Sequence, residues 1–153
     1  MNVHATGLRP VDWGLMQGLG VPRFAARRFT ASSLSLSSAR RFAHETLTSW
    51  GLQRCADDAT LVAVELMTNA ATHALTAESD EETATAWLGL SCTDRTVTCT
   101  VSDPSAQRPR TTTQDPLAEV GRGMRIVTAL SDDWGCDIHP DGTGKAVWAH
   151  LPA

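Results

Sequence analysis

The 153-residue sequence has no Cys-x-x-Cys pair, no long apolar run and no excess of basic charge. Its four cysteines, with no histidine at zinc-ligand spacing, predict free thiols in a reducing compartment. No apolar stretch approaches the roughly 20 residues that span a bilayer, and the start lacks the apolar core of a signal peptide. A formal net charge of -4 gives no electrostatic reason to expect nucleic-acid binding. We therefore expect a cytoplasmic protein that binds neither membranes nor nucleic acid.

Length and composition fit one ordinary globular domain. The apolar fraction is 42% and the charged fraction is 20%, both usual for soluble domains. Residues 1–21 are rich in glycine and lack sustained periodicity, which predicts a loosely ordered arm, although Trp13 and its apolar neighbours could form a short docking turn. Residues 22–153 are predicted to form a single domain.

The hydrophobic pattern changes from helical to strand-like along the chain. One helix is predicted to follow the serine caps of residues 32–38 and to stop at Gly51, and a second to start at Asp57 or Asp58 and end near Ala74. Predicted strands cover residues 23–30, 85–92, 95–102, 133–138 and 144–151, and a short helix covers residues 124–130. The stretch from Pro104 to Val120 has little periodicity, which is typical of a functional lid or a disordered loop. This order predicts an α+β two-layer sandwich, with helices on one face of a mainly antiparallel or mixed sheet.

Glu65, Asn69 and His73 recur every fourth residue within the second predicted helix. Because four residues is about one helical turn, these side chains form one polar stripe. A carboxylate can act as a general base, and an amide oxygen is a suitable ligand for Mg²⁺. A solvated helix face would carry the same residues, so the stripe alone leaves both readings open.

Two further positions could contribute to a binding site. Asp103 closes an alternating strand, where its carboxylate could accept a hydrogen bond from an exocyclic amine such as that of adenine; it could equally cap a turn before Pro104. Gly121 and Gly123 precede the short helix, where glycine lets a backbone approach an anion and unpaired N–H groups attract it. Arg122 or Arg125 could add a charge-assisted contact. A plain loop-to-helix junction is the alternative for this second position.

The chain resembles the GHKL, or Bergerat-fold, ATP-binding domains shared by histidine kinases, Hsp90 and type II topoisomerases. More narrowly, it resembles the anti-sigma-factor serine/threonine kinases common in actinobacteria. The resemblance covers roughly residues 22–151 and rests on four segments that match the family's motifs: residues 65–74 for the N-box, 101–105 for the G1 box, 121–135 for the G2 region and 144–148 for the last strand.

The resemblance implies a role for each matching residue. Asn69 would hold Mg²⁺, Glu65 would be the base that activates a serine hydroxyl or a water, and Asp103 would bind the adenine amino group. His73 would make at most a contact on the phosphate side. Gly121 and Gly123 would let the lid close over the phosphates, and Arg122 and Met124 would belong to the same nucleotide-binding segment.

Two departures from the family bear on nucleotide affinity, which could therefore be weak. Many relatives have glycines shortly after the G1 aspartate, whereas residues 104–107 here are Pro-Ser-Ala-Gln. Relatives also often have a threonine near the last strand that assists adenine binding. Lys145 and Ala146 occupy that region here, and Thr143 lies just upstream.

The function implied by the resemblance is that of an ATP- and Mg²⁺-binding regulatory protein. It would be an anti-sigma factor with serine/threonine kinase activity toward an anti-sigma-antagonist protein. Its partners would be a sigma factor, that antagonist, or both, and relatives of this kind often pair as homodimers. The alternative is a non-catalytic, nucleotide-responsive module that captures a protein partner. A histidine kinase fragment is disfavoured because no helix pair with a phosphoacceptor histidine is evident.

Overall fold

The computed structural model describes residues 23–75, 85–93, 95–105 and 119–153. The predicted N-terminal arm and most of the predicted lid lie outside this part of the chain. In chain order the elements are β1 (Arg23–Thr30), α1 (Ser33–Ser49), α2 (Gln53–His73), β2 (Thr85–Cys92), β3 (Thr96–Asp103), α3 (Glu119–Leu130), β4 (Asp133–Ile138) and β5 (Lys145–Pro152).

The strands form a single five-stranded sheet in the order β1-β2-β3-β5-β4. Each neighbouring pair of these described strands is antiparallel. The predicted bounds of β1, β2 and β4 are confirmed, while β3 and β5 each lie one residue further along the chain than predicted. The α+β prediction is confirmed.

The sheet packs its apolar side against the helices. Val97, Cys99 and Val101 alternate along β3 and are all buried, as their spacing predicts. The Cys99 thiol donates to the backbone oxygen of Ala59 in α2 at 3.5 Å, which places α2 directly over β3. Complete burial raises the pKa of Cys99 to about 12, so this thiol is a packing group.

Serine capping and a glycine stop set the limits of α1. The Ser32 hydroxyl accepts a hydrogen bond from the Ser35 amide at 3.1 Å, which satisfies one of the helix's unpaired N–H groups. Gly51 follows the helix with φ of +80°, a conformation that favours glycine. Ala39, Ala43 and Leu47 recur every fourth residue and are fully buried, so one face of α1 enters the core.

The start of α2 corrects a prediction. The helix begins at Gln53, with Leu52 as its N-cap and no side-chain capping bond, so Asp57 and Asp58 lie inside it and do not cap it. The physical reason is burial. Cys55, Ala56 and Ala59 pack into the core, and this packing stabilises the helical turn that precedes Asp57.

The start of α3 also differs from the prediction. The helix begins at Glu119, so Gly121 and Gly123 lie within its first turns and do not precede it. Glycine in a helix costs up to about 1 kcal/mol relative to alanine. Met124 and Val127, which are fully buried, anchor the helix and offset this cost. Within the described residues, no helix is long and apolar enough to cross a membrane.

The four cysteines are free, as predicted. Three are buried and Cys136 is partly exposed.

Candidate nucleotide site

Glu65 lies where α2 and α3 meet. Its side chain is half-buried, and a Cβ atom built on Gly123 would come within 2.9 Å of its Oε2. The glycine therefore gives this carboxylate room beside the first turns of α3. Burial raises the pKa of Glu65 above its ordinary value. A raised pKa makes the carboxylate a better proton acceptor, as expected of a general base.

Asn69 lies one turn further along the same face of α2. Its Nδ2 donates to the Met124 sulfur at 4.0 Å, a weak contact between α2 and α3. Met124 itself is 1% exposed and belongs to the core. His73 is the last residue of α2 and is half-buried. The predicted stripe therefore exists, and its first two members face the start of α3.

Asp103 lies at the end of β3 and pairs with a lysine on β5. Strand register places Asp103 opposite Lys145, and both residues are buried. Lys145 Nζ lies 3.0 Å from Asp103 Oδ1 and 2.9 Å from Oδ2. The backbone N–H of Ser105 also donates to Oδ1 at 2.8 Å. Burial raises the pKa of Asp103, and the neighbouring ammonium group opposes that rise.

Gly144 packs tightly against this aspartate. A Cβ atom at Gly144 would overlap the backbone oxygen of Asp103 and would lie 3.3 Å from the ring of His139. His139 is buried, and its amide donates to the Gly144 carbonyl at 2.8 Å. A larger residue at Gly144 would separate β5 from the end of β3.

The other predicted site residues lie in the turn before β5 and in the first turn of α3. Thr143 is exposed, and its hydroxyl donates to Asp141 at 2.6 Å within the turn before β5. Gly121 and Arg122 lie in the first turn of α3, and the Arg122 side chain is outside the part that the structure describes.

The predicted residues thus form two described clusters. Glu65 and Asn69 meet the start of α3, whereas Asp103 meets Lys145 where β3 ends and β5 begins. Sequence reasoning noted Lys145 only as a departure from the family and missed its bond to Asp103. The signal was present: Lys145 begins a strand whose alternate residues, Val147 among them, point into the core.

A groove of about 770 Å³ lies elsewhere, between α1 and α2. It is lined in part by Arg40, His44 and Asp57, and none of the predicted site residues line it. Its walls carry both signs of charge, and the His44 ring contacts Asp57 at 3.1 Å.

The donor chemistry near α2 fits a magnesium nucleotide. Among the residues that the structure describes, no group of three or more His, Cys, Asp or Glu side chains could hold a metal ion. Mg²⁺ bound with a nucleotide does not need one, because it takes one or two protein oxygens and fills its other positions with phosphate oxygens and water. Asn69, with Glu65 one turn away, supplies oxygens of this kind.

Comparison with known protein families identifies the domain. The model of the histidine kinase-like ATPase domain matches residues 29–151, which is most of the chain. The chain therefore belongs to the family of histidine kinase-like ATPase domains, and its fold is that of an ATP-binding domain. A search of curated proteins found no significant match.

Proposed function

We propose that this chain is an ATP- and Mg²⁺-binding anti-sigma factor with serine/threonine kinase activity toward an anti-sigma-antagonist protein. The family supports nucleotide binding, and the motif resemblance supports the choice of partners. The observation that carries the catalytic part is the position of Glu65, half-buried with a raised pKa and directly beside Gly123.

In the proposed reaction each residue has one task. Asn69 would hold Mg²⁺, which when bound neutralises charge on the phosphate oxygens. Glu65 would accept the proton of the acceptor hydroxyl at its carboxylate oxygens. The unpaired N–H groups in the first turn of α3, where Gly121 lies, would donate to phosphate oxygens. Asp103 and its neighbours would contact the edge of the base.

The variant Glu65→Gln tests the role of Glu65. It removes the proton acceptor but keeps the shape and polarity of the side chain. We expect ATP binding to change little and phosphotransfer to fall by about 10²–10⁴-fold, the usual contribution of a general base. Calorimetry with ATP and Mg²⁺ measures the first quantity, and transfer of γ-³²P from ATP to proteins of the native cell extract measures the second.

Asp58→Asn is the matched control for that experiment. It makes the same acid-to-amide change on the same helix, at an exposed residue about two helical turns before Glu65. Transfer should equal that of the unmodified protein. Full activity in Glu65→Gln would rule out the base assigned here.

A specific observation favours a second candidate, a non-catalytic module that captures a protein partner. The ion pair between Lys145 and Asp103 occupies the carboxylate that would otherwise meet adenine. Absence of any heat at millimolar ATP with Mg²⁺ would favour this second candidate.

A further inference from the structure

The groove between α1 and α2 has no task in the proposed phosphotransfer, because none of the predicted site residues lines it. Its volume of about 770 Å³ lies within the range of about 300–1,000 Å³ that is usual for small-molecule sites. Both walls belong to helices that bury another face in the core, with Ala39 and Ala43 in α1 and Ala59 and Ala63 in α2. The core therefore holds the walls of the groove in place.

Two arginines give the α1 wall its chemistry. Arg40 and Arg41 are exposed and line the groove, and within the described residues neither guanidinium group forms an ion pair. The planar fork of N–H donors in arginine matches the two oxygens of a carboxylate. Two such groups on one wall favour an anionic ligand.

The acidic residues of the groove limit the charge of that ligand. Glu45 and Asp57 also line it, and Asp57 contacts the His44 ring at 3.1 Å. Even with His44 protonated, three positive groups face two carboxylates, so the positive excess is at most one charge. A monoanion such as a carboxylate matches this excess better than a phosphate group, which carries nearly two charges.

The α2 wall adds an apolar surface. Leu61 is 41% exposed and is one of three large apolar side chains that are exposed among the described residues. Val64 lies three residues further along and lines the same groove. Residues three apart on a helix are neighbours on its surface, so the two side chains form one apolar strip. An alkyl chain lying on this strip would remove apolar surface from water.

We propose that the α1–α2 groove is a second ligand site, which takes an aliphatic carboxylate of the fatty-acid class. The carboxylate would accept hydrogen bonds from Arg40 and Arg41, and the alkyl chain would lie on Leu61 and Val64. This site goes beyond the proposed function, because it requires neither nucleotide binding nor phosphotransfer.

Titration of the ¹⁵N-labelled protein with octanoate, in the absence of nucleotide, tests the proposal directly. We expect saturable amide shift changes on residues 37–45 and 57–64, with a dissociation constant of about 1 mM, which is ordinary for a ligand of about ten heavy atoms. Acetate lacks the chain and octan-1-ol lacks the charge, so each should bind at least about tenfold more weakly. Equal binding of octan-1-ol, no saturable change with octanoate, or changes outside the groove would overturn the inference.

Two variants test the role of the arginines. Arg40→Gln combined with Arg41→Gln removes both charges and should weaken octanoate binding at least about tenfold. Arg54→Gln is the matched control, because Arg54 is exposed on α2 and does not line the groove, and it should bind octanoate as the unmodified protein does. Unchanged binding in the double variant, with a cooperative thermal melt showing that it is folded, would contradict the proposal, as would an equal loss in the control. If the double variant does not fold, the comparison of octanoate with acetate and octan-1-ol decides.

Discussion

At the scale of single residues, Lys145 and Asp103 show how burial and charge compete. Removing two charges from water costs several kcal/mol each, and their mutual attraction offsets this only when geometry and further hydrogen bonds are good. The Ser105 amide and carbonyl supply those further bonds. The pair therefore depends on both partners being present.

Loss of the lysine alone should be costly. We expect Lys145→Met to lower the free energy of unfolding by about 3–5 kcal/mol near neutral pH, because it leaves a buried carboxylate without its cation. The double variant Asp103→Asn with Lys145→Met removes both charges and should recover most of this loss. Urea denaturation of the three proteins measures the differences, and equal losses in both variants would contradict the ion-pair account.

The pH dependence of that loss has a definite sign. Burial raises the pKa of Asp103 in the folded protein, and removal of the ammonium group raises it further. A carboxyl group whose pKa is higher in the folded protein than in the unfolded protein stabilises the fold at pH values below the pKa of the unfolded protein. This stabilisation is lost as the pH rises through the pKa of the folded protein. The loss in free energy of unfolding caused by Lys145→Met should thus be smallest near pH 4 and largest at pH 8. A deficit independent of pH would contradict the assignment.

Residues also differ in how far their surroundings can be predicted. The placement of Glu65 and Asn69 on one helix face follows from their spacing, because four residues is one turn. The partner of Asp103 does not follow from spacing, since it depends on the register between β3 and β5, which are separated by some forty residues. Local periodicity carries no information about that register.

At the scale of elements, α3 brings its first turns against α2. Gly123→Ala tests this contact, because the added methyl group would displace the Glu65 carboxylate. The change should leave stability unaltered or raise it by up to about 1 kcal/mol, the helix preference of alanine over glycine. Phosphotransfer should nevertheless fall at least tenfold.

Ala129→Gly is the matched control in the same helix. Ala129 is exposed, so this variant should lower stability by up to about 1 kcal/mol without changing phosphotransfer. Thermal melts and transfer assays on both variants separate helix propensity from the site. Unchanged transfer in Gly123→Ala would show that the contact with Glu65 has no catalytic consequence.

The ends of the helices show which features of the sequence determine where a helix begins and stops. Ser32 and Gly51 delimit α1 as the sequence predicts, because a capping hydroxyl and a residue with positive φ act locally. Asp57 and Asp58 are equally good capping residues by type, yet α2 begins four residues before the first of them. Burial of Cys55 and Ala56 decides that start, and burial is a tertiary effect.

At the scale of the whole molecule, one face of a five-stranded antiparallel sheet lies under the helices, and Asp103 and Lys145 lie side by side where β3 ends and β5 begins. The alternation of apolar residues in β3 and the four-residue repeat of apolar residues in α1 made this layered fold predictable. The order β1-β2-β3-β5-β4 places β5 between β3 and β4. Because β5 therefore lies beside β3, Lys145 lies opposite Asp103.

We propose that nucleotide binds between the polar stripe of α2 and the first turns of α3. The most direct test is a ¹H–¹⁵N correlation spectrum of the labelled protein, recorded during titration with ATP and Mg²⁺. We predict that the largest amide shift changes fall on residues 65–73 and 119–124. Shift changes confined to the α1–α2 groove around Arg40 and His44, or no changes at millimolar nucleotide, would contradict it.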